Sequence, residues 1–169
     1  DANGPISSTS PFTMRTSYFS TKVDHYMSEA ARLGLVVAFP LAWGPNCKRD
    51  MVESAANATT YANFIVGRYA SYANVVWIAC GEYTKMATNA PNYENNSDAM
   101  DSNELAILDA LIAGINANKH VDSLTILHPD GYASTTDTGR HPSRNFHTEG
   151  NLDFNVLQGY NNLQENITN

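Results

Sequence analysis

Apolar residues recur along this chain in two alternating rhythms, and their alternation predicts the fold. From Ser17 onward Phe19, Val23, Met27, Ala30 and Leu33 return every three to four positions. That is the spacing of one buried helical face, with Ser17 or Thr21 available as cap and Gly34 as terminator. The run Leu35-Val36-Val37-Ala38-Phe39 follows, and its lack of polar alternation predicts a strand covered on both faces. The pair then repeats. Residues 54–72 predict a second helix with Ala58, Ala62, Ile65 and Tyr69 on one face, feeding a strand from Val75 to Ala79 that ends in Cys80-Gly81-Glu82-Tyr83. A third helix, capped by Asp101 or Ser102, carries Leu105, Leu108, Leu111 or Ile112, and Ile115. A third strand, Leu124 to Leu127, delivers His128-Pro129-Asp130, and a fourth short strand from about Asp153 to Leu157 ends in Gln158-Gly159-Tyr160.

This order of helices and strands predicts an α/β fold with a parallel sheet and right-handed crossovers. Residues 1–17, 83–100 and 132–150 are polar, show no sustained period, and read as loops. No linker or internal repeat divides the chain, so 1–169 reads as a single domain. A complete (β/α)8 barrel takes about 250 residues, and the pattern supplies four strands. The expected architecture is therefore a partial (β/α)8 TIM barrel, about four parallel strands with covering helices. An open four-stranded sheet is the other arrangement the pattern allows. The tail from Asn161 shows no closing helix or strand, which favours the partial barrel.

Composition narrows the range of partners. The 169 residues are 43% hydrophobic and 16% charged, a globular balance able to bury a sizeable core. A net charge of −7 without any Lys/Arg cluster argues against nucleic acid or an anionic membrane as the main partner. No apolar run approaches the roughly 18 residues of a membrane span. Cys47 and Cys80 leave a disulfide and two buried thiols equally open. Sequons at Asn57, Asn95 and Asn166 are no more frequent than chance supplies. The opening Asp1-Ala2-Asn3-Gly4-Pro5 has neither an initiator Met nor a signal-peptide core, so the chain is expected to be mature, processed or part of something longer.

Aligning the strand ends gathers the chemistry. The first contributes Trp43, Asn46 and Cys47, the second Glu82 and Tyr83, the third His128 and Asp130, the fourth Gln158 and Tyr160. In α/β folds ligands bind at this C-terminal end of the strands. Aromatic faces pack on a sugar ring while amide, imidazole and carboxylate groups bond its hydroxyls. Gly81 permits a sharp turn or a close substrate approach. A structural role competes in each case: Glu82 as a cap or as partner of Lys85, Trp43 as core, Gln158 as a backbone partner. A metal site is the alternative chemistry, since His120, His128, His141 and His147 lie near Asp122, Asp130, Asp137 and Asp153. None of these has the spacing of a helical His pair or a paired-cysteine site. No cofactor is called for. A serine elbow and a glycine-rich phosphate loop are both missing.

The ordered motifs Asp1-Ala2-Asn3-Gly4, Tyr18-Phe19, Val23-Asp24, Ala30-Ala31-Arg32-Leu33-Gly34-Leu35 and Trp43-Gly44 resemble the apiosidase-like (β/α)8-barrel glycoside hydrolases, glycoside hydrolase family 140 and its relatives. So do Arg68-Tyr69, Asn74-Val75-Val76-Trp77, Gly81-Glu82, His128-Pro129 and Leu152-Asp153-Phe154-Asn155 with Gln158. The resemblance implies a hydrolase of plant-type polysaccharide with its acid/base carboxylate at Glu82. Where that family usually shows Gly-Gly-Asp this chain has Cys80-Gly81-Glu82, and Gln-Ser-Gly-His becomes Gln158-Gly159-Tyr160-Asn161. Asn151 stands where a tryptophan is usual. These departures leave the accepted sugar open. Family members also carry two strands before the point matching Asp1 and a second carboxylate on a later strand, so the chain is expected to be the middle of a hydrolase. Glu149 lies at the wrong end of a strand to replace that carboxylate.

The expected function is glycosidic bond cleavage with Glu82 as general acid/base and with Trp43, Asn46, Tyr83, His128, Gln158 and Tyr160 contacting the sugar. The alternatives are a non-catalytic carbohydrate-binding or structural remnant and a metal-dependent hydrolase. The resemblance implies a secreted or periplasmic setting, and open sheet edges imply self-association of the isolated chain.

Overall fold

The structure, a computed structural model, describes residues 4–9, 12–44, 52–83, 102–128 and 151–155. Residues read above as an opening loop instead form a hairpin, β1 (Ile6–Thr9) antiparallel to β2 (Phe12–Met14). Ile6, Phe12 and Met14 pack on the core. The single helix expected from Ser17 divides at Val23 into α1 (Thr16–Lys22) and α2 (Asp24–Arg32). Backbone bonds from Val23 N to Phe19 O and from Met27 N to Val23 O run through the break, so one apolar face is kept, with Phe19 and Met27 buried.

Next come β3 (Val37–Pro40), α3 (Ala55–Arg68), β4 (Val75–Gly81), α4 (Ser102–Asn118), β5 (Leu124–His128) and β6 (Phe154–Asn155). The four strands form one parallel sheet in the order β3-β4-β5-β6. Ser54 caps α3 by accepting a bond from Asn57 N at 3.2 Å, and Ala58, Ala62, Ile65 and Tyr69 are buried as their spacing predicts. On α4 the buried set is Ile107, Leu108, Leu111, Ile112 and Ile115, while Leu105 faces outward. The two helices cross closely at Gly114. A Cβ added there would lie 2.5 Å from Ala62 Cβ.

Register partners share a face of a parallel sheet. Phe39, Trp77 and Thr125 form one row, turned toward the helices: Phe39 lies 5.9 Å from the ring of Tyr69, and Thr125 Oγ1 is 2.7 Å from Asn116 Oδ1. Ala38, Val76 and Leu124, with Pro40, Ile78, Ile126 and Phe154, point the other way. Only β4 is buried along nearly its whole length. The expectation of two-sided burial is corrected for β3, where Leu35 and Ala38 are exposed and Val36 is 69% exposed. Within the described residues β3 bonds only to β4, which leaves its other edge and its inner face uncovered.

Side-chain clamps fix the ends of these elements. Arg68 and Tyr69, at the end of α3, hold Asp24 at the start of α2. Asp153 Oδ2 accepts from Lys119 Nζ at 2.8 Å and from Thr125 N at 2.6 Å, which ties β6 to β5. No helix among the described residues is long and apolar enough to cross a membrane.

Candidate active site

The C-terminal ends of β3, β4 and β5 meet in a row. Beyond β3 the chain keeps to the β4 edge, with Leu41 N bonded to Ile78 O, Gly81 N to Ala42 O and Gly44 N to Gly81 O at 2.6 Å. Tyr61 of α3 donates its hydroxyl to Leu41 O at 2.9 Å from a buried position. Trp43 is thereby set in a parallel bridge with Gly81, and Gly81 is in turn the register partner of His128. The register shifts between Ile78 and Gly81, so three steps on β4 match two on β5. Such an irregularity changes which face the following residues address and is common beside functional sites. It brings Gly81 onto the face of Ile126 and His128.

Across this row lies an aromatic pair. The rings of Trp43 and His128 are 5.2 Å apart and inclined at 39°. A Cβ on Gly81 would come within 2.0 Å of Trp43 Cε3 and 2.2 Å of Cζ3. What approaches Gly81 most closely is therefore the indole of this same chain. Trp43 remains 41% exposed, and His128 is half-buried with its Nδ1 buried and unpartnered among the described residues.

Glu82 leaves the row at φ 49°, the left-handed region that a non-glycine residue rarely enters outside turns and functional sites. It is half-buried at the strand end. Tyr83, expected to contact the sugar, is instead 1% exposed and part of the hydrophobic core. Burial pushes its phenol well above the ordinary tyrosine value, and Cys80 adds to the effect. Asn46, Gln158 and Tyr160 fall outside the described residues, as do Cys47 and Asp130.

One buried carboxylate was not singled out by the sequence pattern. Glu104 is 1% exposed in the first turn of α4, at the end of the sheet where β4 delivers Glu82. The signal for it is the preference of carboxylates for helix N-termini.

Of the residues that suggested a metal site, His141, His147, Asp130 and Asp137 lie outside the described residues. Among the described residues no three His, Cys, Asp or Glu side chains gather as ligands. His120 and Asp122 precede β5 and so lie at the opposite end of the sheet from His128. Asp153 is held there too by Lys119 and Thr125.

Compared with known proteins, residues 2–169 match the family described as Apiosidase-like, catalytic domain. Among solved structures the chain is similar to a glycoside hydrolase family 5 protein from Bacteroides vulgatus ATCC 8482, with a TM-score of 0.61 and 21% identity over 83% of this chain and 25% of that one. It is also similar to a protein described as a glycoside hydrolase, with a TM-score of 0.60 and 23% identity over 83% of this chain and 26% of that one. At such identities the likeness is one of fold, that of part of a TIM barrel. The chain spans about a quarter of the length of these solved structures. No curated protein matches it.

Proposed function

The chain belongs to the apiosidase-like catalytic-domain family, and on that premise we propose that it forms part of a glycoside hydrolase in which Glu82 is the general acid and then the base. The observation that carries this reading is the row Trp43, Gly81, His128, followed directly by Glu82, whose backbone leaves the strand at φ 49°. An exposed indole offers an apolar surface to a sugar ring, and the imidazole beside it offers polar contact. Glu82, one residue beyond Gly81, is the carboxylate nearest in sequence to that surface.

Chemically, the acid donates its proton to the glycosidic oxygen as the bond to the anomeric carbon breaks. If the enzyme retains configuration, the second carboxylate bonds to the anomeric carbon as that bond breaks, and Glu82 then takes a proton from the water that displaces it; if it inverts, the second carboxylate takes the proton of a water that attacks directly. The second carboxylate that the reaction needs is proposed to lie in a part of the barrel outside these residues, since the solved relatives are far longer than this chain. Their separation, about 5 Å against 6.5–9.5 Å, would decide between retention and inversion. Asn46, Gln158 and Tyr160 are proposed as further sugar contacts, and an apiose-containing plant-type polysaccharide as the substrate. Such a polymer is met outside the cytoplasm, so a secreted or periplasmic setting goes with the reading.

The test is release of free sugar from apiosides by the full-length protein and by its Glu82→Gln variant. Hydrolysis abolished by the substitution supports the assignment. Saturable sugar binding without hydrolysis in the unaltered protein would support the carbohydrate-binding alternative.

A further inference from the structure

We propose that Gly81 is a positioning residue: having no side chain, it lets the Trp43 indole rest on the end of β4 against His128, so that the sugar-contacting surface is formed before any ligand arrives. The inference deepens the carbohydrate reading above and rests on it for its functional half.

The glycine is required for room. Gly81 is not among the residues with positive φ, which include Gly34 and Gly44, so its backbone conformation is open to alanine. Space is what alanine lacks: its Cβ would stand 2.0, 2.2 and 2.6 Å from three indole carbons of Trp43, far inside van der Waals contact. The backbone cannot yield easily, because Gly81 N bonds to Ala42 O and Gly44 N to Gly81 O on either side of Trp43. Leu41 and Ala42, next along the chain, are buried, and Tyr61 pins the Leu41 carbonyl. Relief must therefore come from rotation of the Trp43 side chain. His128, 5.2 Å away, closes one direction. Any residue but glycine at this position thus displaces the indole from its place.

The test uses full-length protein labelled with 5-fluorotryptophan, where the fluorine resonance lost in Trp43→Phe identifies that ring. Gly81→Ala is expected to move the Trp43 resonance toward its position in denaturant and leave that of Trp77 in place. A folded Gly81→Ala protein with an unmoved Trp43 resonance would overturn the proposal. If Gly81→Ala does not fold, the pair Trp43→Ala/Gly81→Ala decides: recovery of cooperative unfolding on removing the indole supports the clash, and no recovery refutes it. The functional half is read by affinity for methyl β-apiofuranoside. Trp43→Ala and Gly81→Ala should each weaken binding by roughly two- to twelve-fold, the worth of one aromatic contact. The double variant should be no weaker than Trp43→Ala alone. Additive losses would mean that Gly81 acts other than through the indole. Failure of the unaltered protein to bind this apioside would count against apiose as its sugar, while the fluorine resonances still decide the packing.

Discussion

Arg68 grips Asp24 with two parallel hydrogen bonds, Nε to Oδ1 at 2.9 Å and Nη2 to Oδ2 at 2.5 Å, and the Tyr69 hydroxyl adds a third at 2.8 Å. The clamp joins the start of α2 to the end of α3, the two elements that lead into β3 and β4. It thus ties together the two helices that precede the strands whose ends lead to Trp43 and Glu82.

This clamp should make the fold acid-sensitive. Bonding to Arg68 holds the Asp24 carboxyl below its ordinary 3.8, against an opposing effect of burial and with help from Tyr69. Bonding to Lys119 likewise lowers Asp153, again against burial and helped by the Thr125 amide. A lowered folded-state value contributes stability that is fully present above the unfolded value and is lost as pH falls through the folded one. Asp24→Asn should cost about 1–2 kcal/mol at neutral pH, a modest figure because both partners are partly solvated. The gap in Tm between variant and unaltered protein should close as pH drops below 3.8. Arg68→Lys should not substitute, since an ammonium cannot make the paired bonds.

Gly114 makes a different prediction. Alanine in a helix normally gains up to about 1 kcal/mol over glycine, but here its Cβ would lie 2.5 Å from that of Ala62. Overpacking of this kind costs about 1–3 kcal/mol. Denaturant unfolding should show Gly114→Ala less stable than the parent, and Ala62→Gly in the same chain should recover the loss. A net gain in the single variant would contradict the close crossing of α3 and α4.

The edge of β3 that no described strand covers, with exposed Leu33, Leu35 and Val36 near it, should make the isolated 169 residues self-associate. Uncovered edges and apolar patches are templates for pairing. Size-exclusion chromatography with light scattering should report species larger than 18.5 kDa. A monodisperse monomer that melts cooperatively would oppose this.

The helical face of α3, that of α4 apart from the exposed Leu105, and the order of the strands were legible because burial on one side imposes a period, and Val75 to Ala79 announced a two-sided strand. Other features rested on contacts that no period records. The β1–β2 hairpin is short, rich in Ser and Thr, and stabilised by Phe12 reaching Tyr61 at 6.4 Å. An apolar run could not reveal that β3 would lie at an edge. Trp43, Gly81 and His128 could be placed together by aligning strand ends, but the direction of Tyr83 could not. The register shift before Gly81 and the left-handed turn at Glu82 break the count that would have told inward from outward. Gly81 was read as permitting a sharp turn or a close substrate approach, and the space beside it is taken by an indole 38 positions earlier.

The central claim is tested most directly by comparing kcat/KM of the full-length protein and its Glu82→Gln variant on two apiosides, one with an alkyl alcohol and one with dinitrophenol as leaving group. A general acid matters only where the departing oxygen needs a proton. The substitution should therefore cost about 10²–10⁴-fold on the alkyl apioside and far less on the dinitrophenyl one. Equal losses on both, or near-unaltered rates on both, would contradict the assignment of Glu82 as the acid.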